Sequence, residues 1–156
     1  MKKHPHKKAK EEILGICAAA AAGKYDSREK FLALLDENPH IAVQGYNPYG
    51  KIFYWNDASA HLYGYSESAA VNQNLFELVI PPEMRPLAQD MISCAQKTGK
   101  TPEAGPCDLL RHDGEFVTVF SGHLMFKWEG AATPEFYCID LAIGMSPETE
   151  ALEKSP

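Results

Sequence analysis

Residues 46–66 read YNPYGKIFYWNDASAHLYGYS, and this stretch decides the fold. Pro48 stands at the second position of a tight turn, where a φ of about −65° is required, and Gly50 supplies the closing residue. Residues 51–55 are rich in aromatic and β-branched side chains, which is typical of a half-buried strand. With a second strand expected at residues 41–46, the segment predicts a β-hairpin.

A run of short helices is predicted directly after the hairpin. Asn56 is a strong N-cap for the first of them, and Gly64 suits the left-handed residue that ends it. Two further short helices are expected at residues 66–70 and 75–79, each preceded or opened by a capping Ser or Asn, before a Pro-Pro pair breaks the chain.

The longest helix of the central region is predicted at residues 83–97, and Gly99 ends it. Its apolar side chains recur at the spacing of one helix face. They are Met84, Leu87, Ala88, Met91, Ile92 and Ala95. Such a stripe predicts that this face packs on the core.

Three strands are predicted in the remainder, at residues 103–111, 115–128 and 135–143. Asp113-Gly114 lies between the first two, and Asp-Gly between such runs is a strong hairpin signal. The long second strand carries apolar side chains on both faces. These are Phe116, Phe120, Leu124 and Phe126 on one face, and Val117, Val119 and Met125 on the other. Both faces therefore need a cover, and the N-terminal helices or a second subunit are expected to supply one of them.

The N-terminal segment predicts two helices, at residues 7–22 and from Asp26 to Asn38. Asp26 with Glu29 forms a capping-box pattern for the second helix. The apolar run at residues 13–22 follows basic residues as a secretory signal does, but two glutamates directly precede it and alanine dominates it, which favours an ordinary helix. One face of this helix carries Ile13, Ile16, Cys17 and Ala20, and we expect it to form a relay or dimer contact.

Composition limits the classes of function. The 156 residues, 45% hydrophobic and 23% charged, suit one globular domain with extensions. A formal charge of −6 disfavours nucleic acid as a partner, and no stretch is long and apolar enough for a membrane span. The four cysteines are widely spaced, so neither a metal site nor a disulfide framework is expected, and a cytoplasmic location fits best.

The order of two strands, several short helices, one longer helix and three antiparallel strands resembles the PAS domain family. Three stretches carry the likeness: the hairpin and first helix up to residue 66, LFELVIPPEM before the long helix, and LLRHDGEFVTVFSG around the last hairpin. The resemblance implies an α+β fold with a five-stranded antiparallel sheet and short helices on one face. It assigns residues 38–143 to the PAS domain, 1–37 to an N-terminal helical extension with its first ~6 residues disordered, and 144–156 to a tail.

PAS domains sense small molecules or bind partner domains, so the resemblance implies a sensory or interaction module rather than an enzyme. Heme-binding members use a histidine on the long helix, and residues 83–97 contain none. Light-sensing flavin members need a cysteine in the short helix where this chain has Asn74-Leu75-Phe76. Heme and covalent flavin are therefore disfavoured. The cofactor stays unknown.

A ligand cavity is expected between the sheet and the short helices, since pockets of this kind are mostly apolar with a few polar groups. The candidate lining residues are Trp55, Asn56, Tyr63, Phe76, Met84, Met91, Phe120, His123 and Tyr137. A simpler interpretation stays open for each: the aromatic residues and methionines fill a closed core, Asn56 only caps a helix, and His123 is a hydrogen-bonded structural residue.

Three functional hypotheses follow. In the first, a cytoplasmic sensor of a signal-transduction system, such as a two-component system, binds a small molecule and relays its presence. In the second, a filled-core domain serves only for homodimerisation or for docking to a separate effector, namely a kinase, cyclase or transcription regulator. In the third, a small enzyme uses a Tyr/His/Asp group, although few titratable residues converge in the sequence.

Overall fold

The computed structural model describes residues 5–145. Six α-helices and five strands follow one another as α1 Pro5–Ala21, α2 Arg28–Glu37, β1 Ala42–Tyr46, β2 Ile52–Trp55, α3 Asp57–Tyr63, α4 Glu67–Ala70, α5 Leu75–Leu78, α6 Arg85–Thr98, β3 Gly105–Leu110, β4 Phe116–Phe126 and β5 Glu135–Met145. A 3-10 turn at Pro82–Met84 leads into α6. No helix within this range is long and apolar enough to cross a bilayer.

The five strands form one antiparallel sheet in the order β2-β1-β5-β4-β3. The hairpin that opens the sheet has the predicted turn, in which Gly50 adopts a φ of 88° and the Gly50 amide donates to the Asn47 carbonyl. A side chain at Gly50 would also collide with the ring of Phe76, because its Cβ would lie 2.6 Å from a ring carbon. The expected α+β fold with helices on one face and an N-terminal extension is confirmed.

Two hydrophobic clusters lie on opposite faces of this sheet. The first, under α3 to α6, includes Trp55, Tyr63, Phe76, Ile92, Val119 and Phe136. The second, under α1 and α2, includes Ile13, Phe31, Phe120, Leu124, Tyr137 and Ile139. The N-terminal helices are therefore the cover that the two-sided β4 strand requires. This packing buries the face of α1 that carries Ile13 and Ile16 against the sheet. The expectation that this face contacts another subunit is therefore wrong.

Two helix assignments need correction. Ser27, rather than Asp26, is the N-cap of α2, because its hydroxyl accepts the Lys30 amide at 3.2 Å. Asp26 instead pairs with the Lys30 ammonium at 2.9 Å. Only part of the apolar stripe on the long helix is buried: Ile92 and Ala95 are buried, whereas Leu87 is 52% exposed. The helix thus packs through a narrower face than its apolar pattern predicts.

Candidate functional site: an apolar cavity between the sheet and α6

A cavity of about 70 Å³ lies between the sheet and helices α5 and α6. It is lined by Tyr46, Leu75, Phe76, Ile80, Ala88, Met91, Ile92, Ala95, Thr101, Pro102, His123, Leu124, Phe136 and Cys138. His123 is the one member of this set with an ordinary pKa close to neutral pH, and the set includes no Asp, Glu, Lys or Arg. A water molecule occupies about 30 Å³ of liquid, so the cavity has room for a small ligand in its present form.

Local hydrogen bonds fix the helix that forms one wall. The Asn74 side chain accepts the Phe76 amide at 2.9 Å and donates to the Tyr49 carbonyl at 3.2 Å, which ties α5 to the hairpin turn. Arg85 closes the other end, because its Nε donates to the carbonyls of Phe76 and Ile80 at 2.8 and 3.0 Å. These bonds hold Phe76 against the cavity.

Three polar side chains lie in a row along the sheet side of the cavity. The hydroxyl of Tyr46 is 3.6 Å from the Cys138 sulfur, and that sulfur is 3.7 Å from Nδ1 of His123. His123 and Cys138 face each other across the β4–β5 pair. These three are the only hydrogen-bonding side chains that the strands contribute to the cavity lining, and they lie next to one another.

Burial sets the protonation states of this row. It lowers the pKa of His123 to about 4, so the imidazole is neutral at physiological pH. Burial is also the main cause that raises the pKa of the Cys138 thiol, with the nearby Asp140 carboxylate adding to it. The pKa of Tyr46 is raised well above its usual value for the same primary reason. All three groups are therefore uncharged at neutral pH.

A second buried polar cluster surrounds Asp140 on β5. Its Oδ2 accepts a hydrogen bond from the Tyr63 hydroxyl at 2.6 Å, and Oδ1 has no partner among the described residues. Burial raises the pKa of Asp140 to about 6, and the hydrogen bond from Tyr63 together with the nearby polar side chains of Ser121 and Gln44 limits the rise. Asp140 is fully buried.

The structure brings only some of the predicted site residues together. Phe76, Met91 and His123 line the cavity. Trp55 and Tyr63 are buried in the same cluster but form none of its wall.

The other predicted residues lie elsewhere. Phe120 and Tyr137 belong to the cluster under α1 and α2, on the opposite face of the sheet. Met84 is 37% exposed in the turn before α6. Asn56 is the N-cap of α3: its Oδ1 accepts the amides of Val43 and Ser59, both at 3.0 Å, and its Nδ2 donates to a carbonyl. Both polar atoms of the Asn56 side chain therefore form hydrogen bonds with backbone groups.

Sequence reasoning missed Tyr46 and Cys138. The signal that finds them is strand alternation, since Cys138 lies opposite His123 in the β4–β5 register and therefore shares its face. No group of three or more metal-ligating side chains is assembled anywhere in residues 5–145.

The segment after α6 lies between the cavity and a neighbouring groove. Thr101 and Pro102 line the cavity and also border an open groove that lies between this segment, β4 and α1. His123 and Leu124 are common to both spaces as well. These four residues therefore lie between the cavity and the side of the molecule that carries α1.

Comparison with known proteins gives the family to which this five-stranded sheet with short helices over an apolar cavity belongs. The sequence pattern of the PAS fold matches residues 30–119, more than half of the chain. The chain belongs to the PAS family, whose members are generally sensory and signalling modules rather than enzymes. No curated protein matches it.

Solved PAS domains share the architecture. A PAS domain from Colwellia psychrerythraea is 25% identical, with a TM-score of 0.61 over 74% of this chain and 96% of that one. The PAS domain of an HTR-like protein from Haloarcula marismortui is 24% identical, with a TM-score of 0.54 over the same shares. The PAS-B domain of Drosophila melanogaster Cycle with bound ethylene glycol is 9% identical, with a TM-score of 0.56 over 65% of this chain and 98% of that one.

Proposed function

We propose that this chain is a cytoplasmic sensor that binds a small molecule in the cavity under α6 and relays its presence to a separate signalling effector. The observation that carries the proposal is the cavity itself, in which the neutral row of Tyr46, Cys138 and His123 interrupts an apolar lining. Protein interiors pack densely, so a purely structural core is not expected to contain three adjacent polar side chains beside empty space.

The size of the cavity limits the ligand. Its volume of about 70 Å³ is well below the ~150 Å³ of an engineered cavity that binds benzene. The ligand is therefore a molecule of a few heavy atoms, unless the wall moves. Met91 is 39% exposed at the outer side of this wall and is unbranched, so it is the side chain best able to adapt.

A physical route connects the cavity to α1. Gly122 precedes His123 in β4, and α1 approaches this glycine so closely that an added Cβ would lie 2.7 Å from Ile13 and 2.8 Å from Cys17. A ligand that displaces the backbone at His123 would therefore move Gly122 against α1, and α1 is the element that we propose contacts the effector.

Native mass spectrometry of the purified chain tests the ligand proposal. We expect a retained small molecule that disappears under denaturing conditions, or its uptake when a cell extract of small molecules is added. The variant Ala88→Leu fills the cavity from α6 and should abolish the added mass. Asp90→Leu, on the exposed side of the same helix, is the matched control and should retain it. Equal binding by both variants would contradict the proposal.

The second candidate function is homodimerisation through the outward face of α1. Leu14 is 42% exposed there, on a helix whose opposite face is already buried against the sheet. A catalytic role is not proposed, since Tyr63 and Asp140 are enclosed.

A further inference from the structure

His123 has one ring nitrogen in use and one free. Nδ1 lies 3.7 Å from the Cys138 sulfur, and Nε2 makes no hydrogen bond to any residue within 5–145. Among the described residues, Asp140 Oδ1 is the only fully enclosed side-chain atom without a hydrogen-bond partner. Nε2 of His123 also lacks a partner, so it is not fully enclosed. The free nitrogen therefore keeps some accessible surface, and His123 borders both the cavity and the adjoining groove.

The order of donors along the row determines what this nitrogen offers. A phenol O–H is a stronger donor than a thiol S–H, and an imidazole nitrogen is a stronger acceptor than a thiol sulfur. The favoured arrangement is Tyr46 O–H donating to Cys138 Sγ and Cys138 S–H donating to His123 Nδ1. With Nδ1 as acceptor, the neutral ring carries its proton on Nε2.

The cavity also disfavours ionised ligands. No Asp, Glu, Lys or Arg side chain lines it, so a charged group would lose hydration without gaining a partner. Burial keeps the ring itself uncharged, because it holds the pKa of His123 at about 4. A neutral N–H donor is thus the feature that a ligand can recognise.

We propose that the cavity selects a small uncharged molecule that carries one hydrogen-bond acceptor, such as a carbonyl or ether oxygen, and that His123 Nε2–H donates to that acceptor. This inference rests on the proposed sensor function and names the class of ligand for the same cavity. His123 determines specificity in this arrangement, whereas the aliphatic and aromatic walls contribute affinity without discriminating between oxygen and methylene.

Two isosteric probes test the inference: propanone and 2-methylpropene, which differ by a carbonyl oxygen in place of a methylene. Their affinities for the full chain are measured by NMR titration of the Met91 and Ile92 methyl resonances, in wild type and in His123→Leu. The quantity of interest is the ratio of the two affinities, because it cancels the effect of the substitution on cavity size. We expect His123→Leu to lower the preference for propanone about tenfold, which corresponds to about 1.4 kcal/mol.

Two further variants make the result specific. His123→Gln keeps a side-chain N–H donor and should restore part of the preference, and it also serves if the leucine variant folds poorly. Met91→Leu changes the wall without touching a polar group and should leave the ratio unchanged. In wild type, nitrogen shifts of His123 should show the Nε2–H tautomer.

The outcomes separate the two proposals. If neither probe perturbs the cavity resonances at millimolar concentration, the ligand-binding function fails and this inference falls with it. If 2-methylpropene binds but the ratio is the same in wild type and in His123→Leu, only the role of His123 is overturned. A protonated Nδ1 in the free protein would likewise overturn it.

Discussion

At the scale of single residues, Asp140 shows most clearly how position overrides residue type. The carboxyl lies 0% exposed on β5, and no Lys or Arg side chain is paired with it in the described structure. Its one short hydrogen bond comes from Tyr63, the last residue of α3. Burial favours the neutral acid, so the pKa of Asp140 rises from 3.8 to about 6.

This shift predicts a pH dependence of folding stability. Because the pKa of Asp140 is higher in the folded than in the unfolded chain, the folded state holds the proton more tightly. The associated stabilisation is fully present below about pH 4 and is lost as pH rises through about 6, a change of about 3 kcal/mol. Asp140→Asn cannot ionise, so its unfolding free energy should lose this component of the slope.

Chemical denaturation at several pH values between 4 and 8 measures the difference. Asp90→Asn, an exposed position on α6, is the control and should follow wild type throughout. Parallel curves for wild type and Asp140→Asn would mean that the buried carboxyl is ionised at no cost to the fold.

At the scale of elements, the contact between α1 and β4 depends on the absence of a side chain at one position. Gly122 is buried, and a Cβ there would meet Ile13 Cγ2 at 2.7 Å, Cys17 Sγ at 2.8 Å and Ile139 Cγ1 at 3.0 Å. Ile13 is β-branched and 0% exposed, so it has little freedom to move aside. The helix itself must shift if the glycine is replaced.

Gly122→Ala should therefore destabilise the protein by about 1–3 kcal/mol, the usual cost of overpacking. Faster amide exchange in α1 should accompany the loss, because the helix is displaced from the sheet. Gly15→Ala is the matched control: it lies on α1 with nothing within 4 Å of the added carbon, and should stabilise by about 0.5–1 kcal/mol. Unchanged exchange in α1 for Gly122→Ala would show that the helix is not held at this contact.

At the scale of the whole molecule, one sheet carries two cores. The cluster under α3 to α6 contains the cavity, and the cluster under α1 and α2 closes the reverse side. The chain therefore covers both faces of β4 by itself. A second subunit is not needed to bury the sheet, and the outer face of α1 stays exposed at Leu14.

Homodimerisation through the outer face of α1 can be tested by introducing one charged side chain there. Leu14→Glu places a carboxylate on the outer surface of α1 and should shift the sedimentation of the chain from dimer to monomer at micromolar concentration. Its thermal stability should stay near that of wild type, since the side chain is already 42% exposed. Ser68→Glu adds the same charge at an exposed position of α4 and should not change the mass. A wild-type chain that sediments as a monomer would contradict this candidate function.

The sequence alone determined the order of the elements, because short-range chemistry sets them. The Asn56, Ser66 and Asn74 caps each accept a backbone amide as predicted, and Gly64 and Gly99 adopt φ values of 82° and 77°. Every one of these signals acts within a few residues of its own position, so neighbouring letters suffice to find it.

Only the tertiary structure decided which side chains meet in the cavity. Side chains alternate between the faces of a strand, so assigning a residue to the wrong parity moves it to the other core. Residue type alone predicts Phe120 and Tyr137 in the cavity, yet both lie on the opposite face, while Cys138 shares the face of His123. A register irregularity opposite Thr118 and Val119, where Ile143 is the extra residue, further breaks the simple alternation in β5. The face on which a strand residue lies depends on pairing between strands that are distant in sequence. Packing determines that pairing, and no local pattern does.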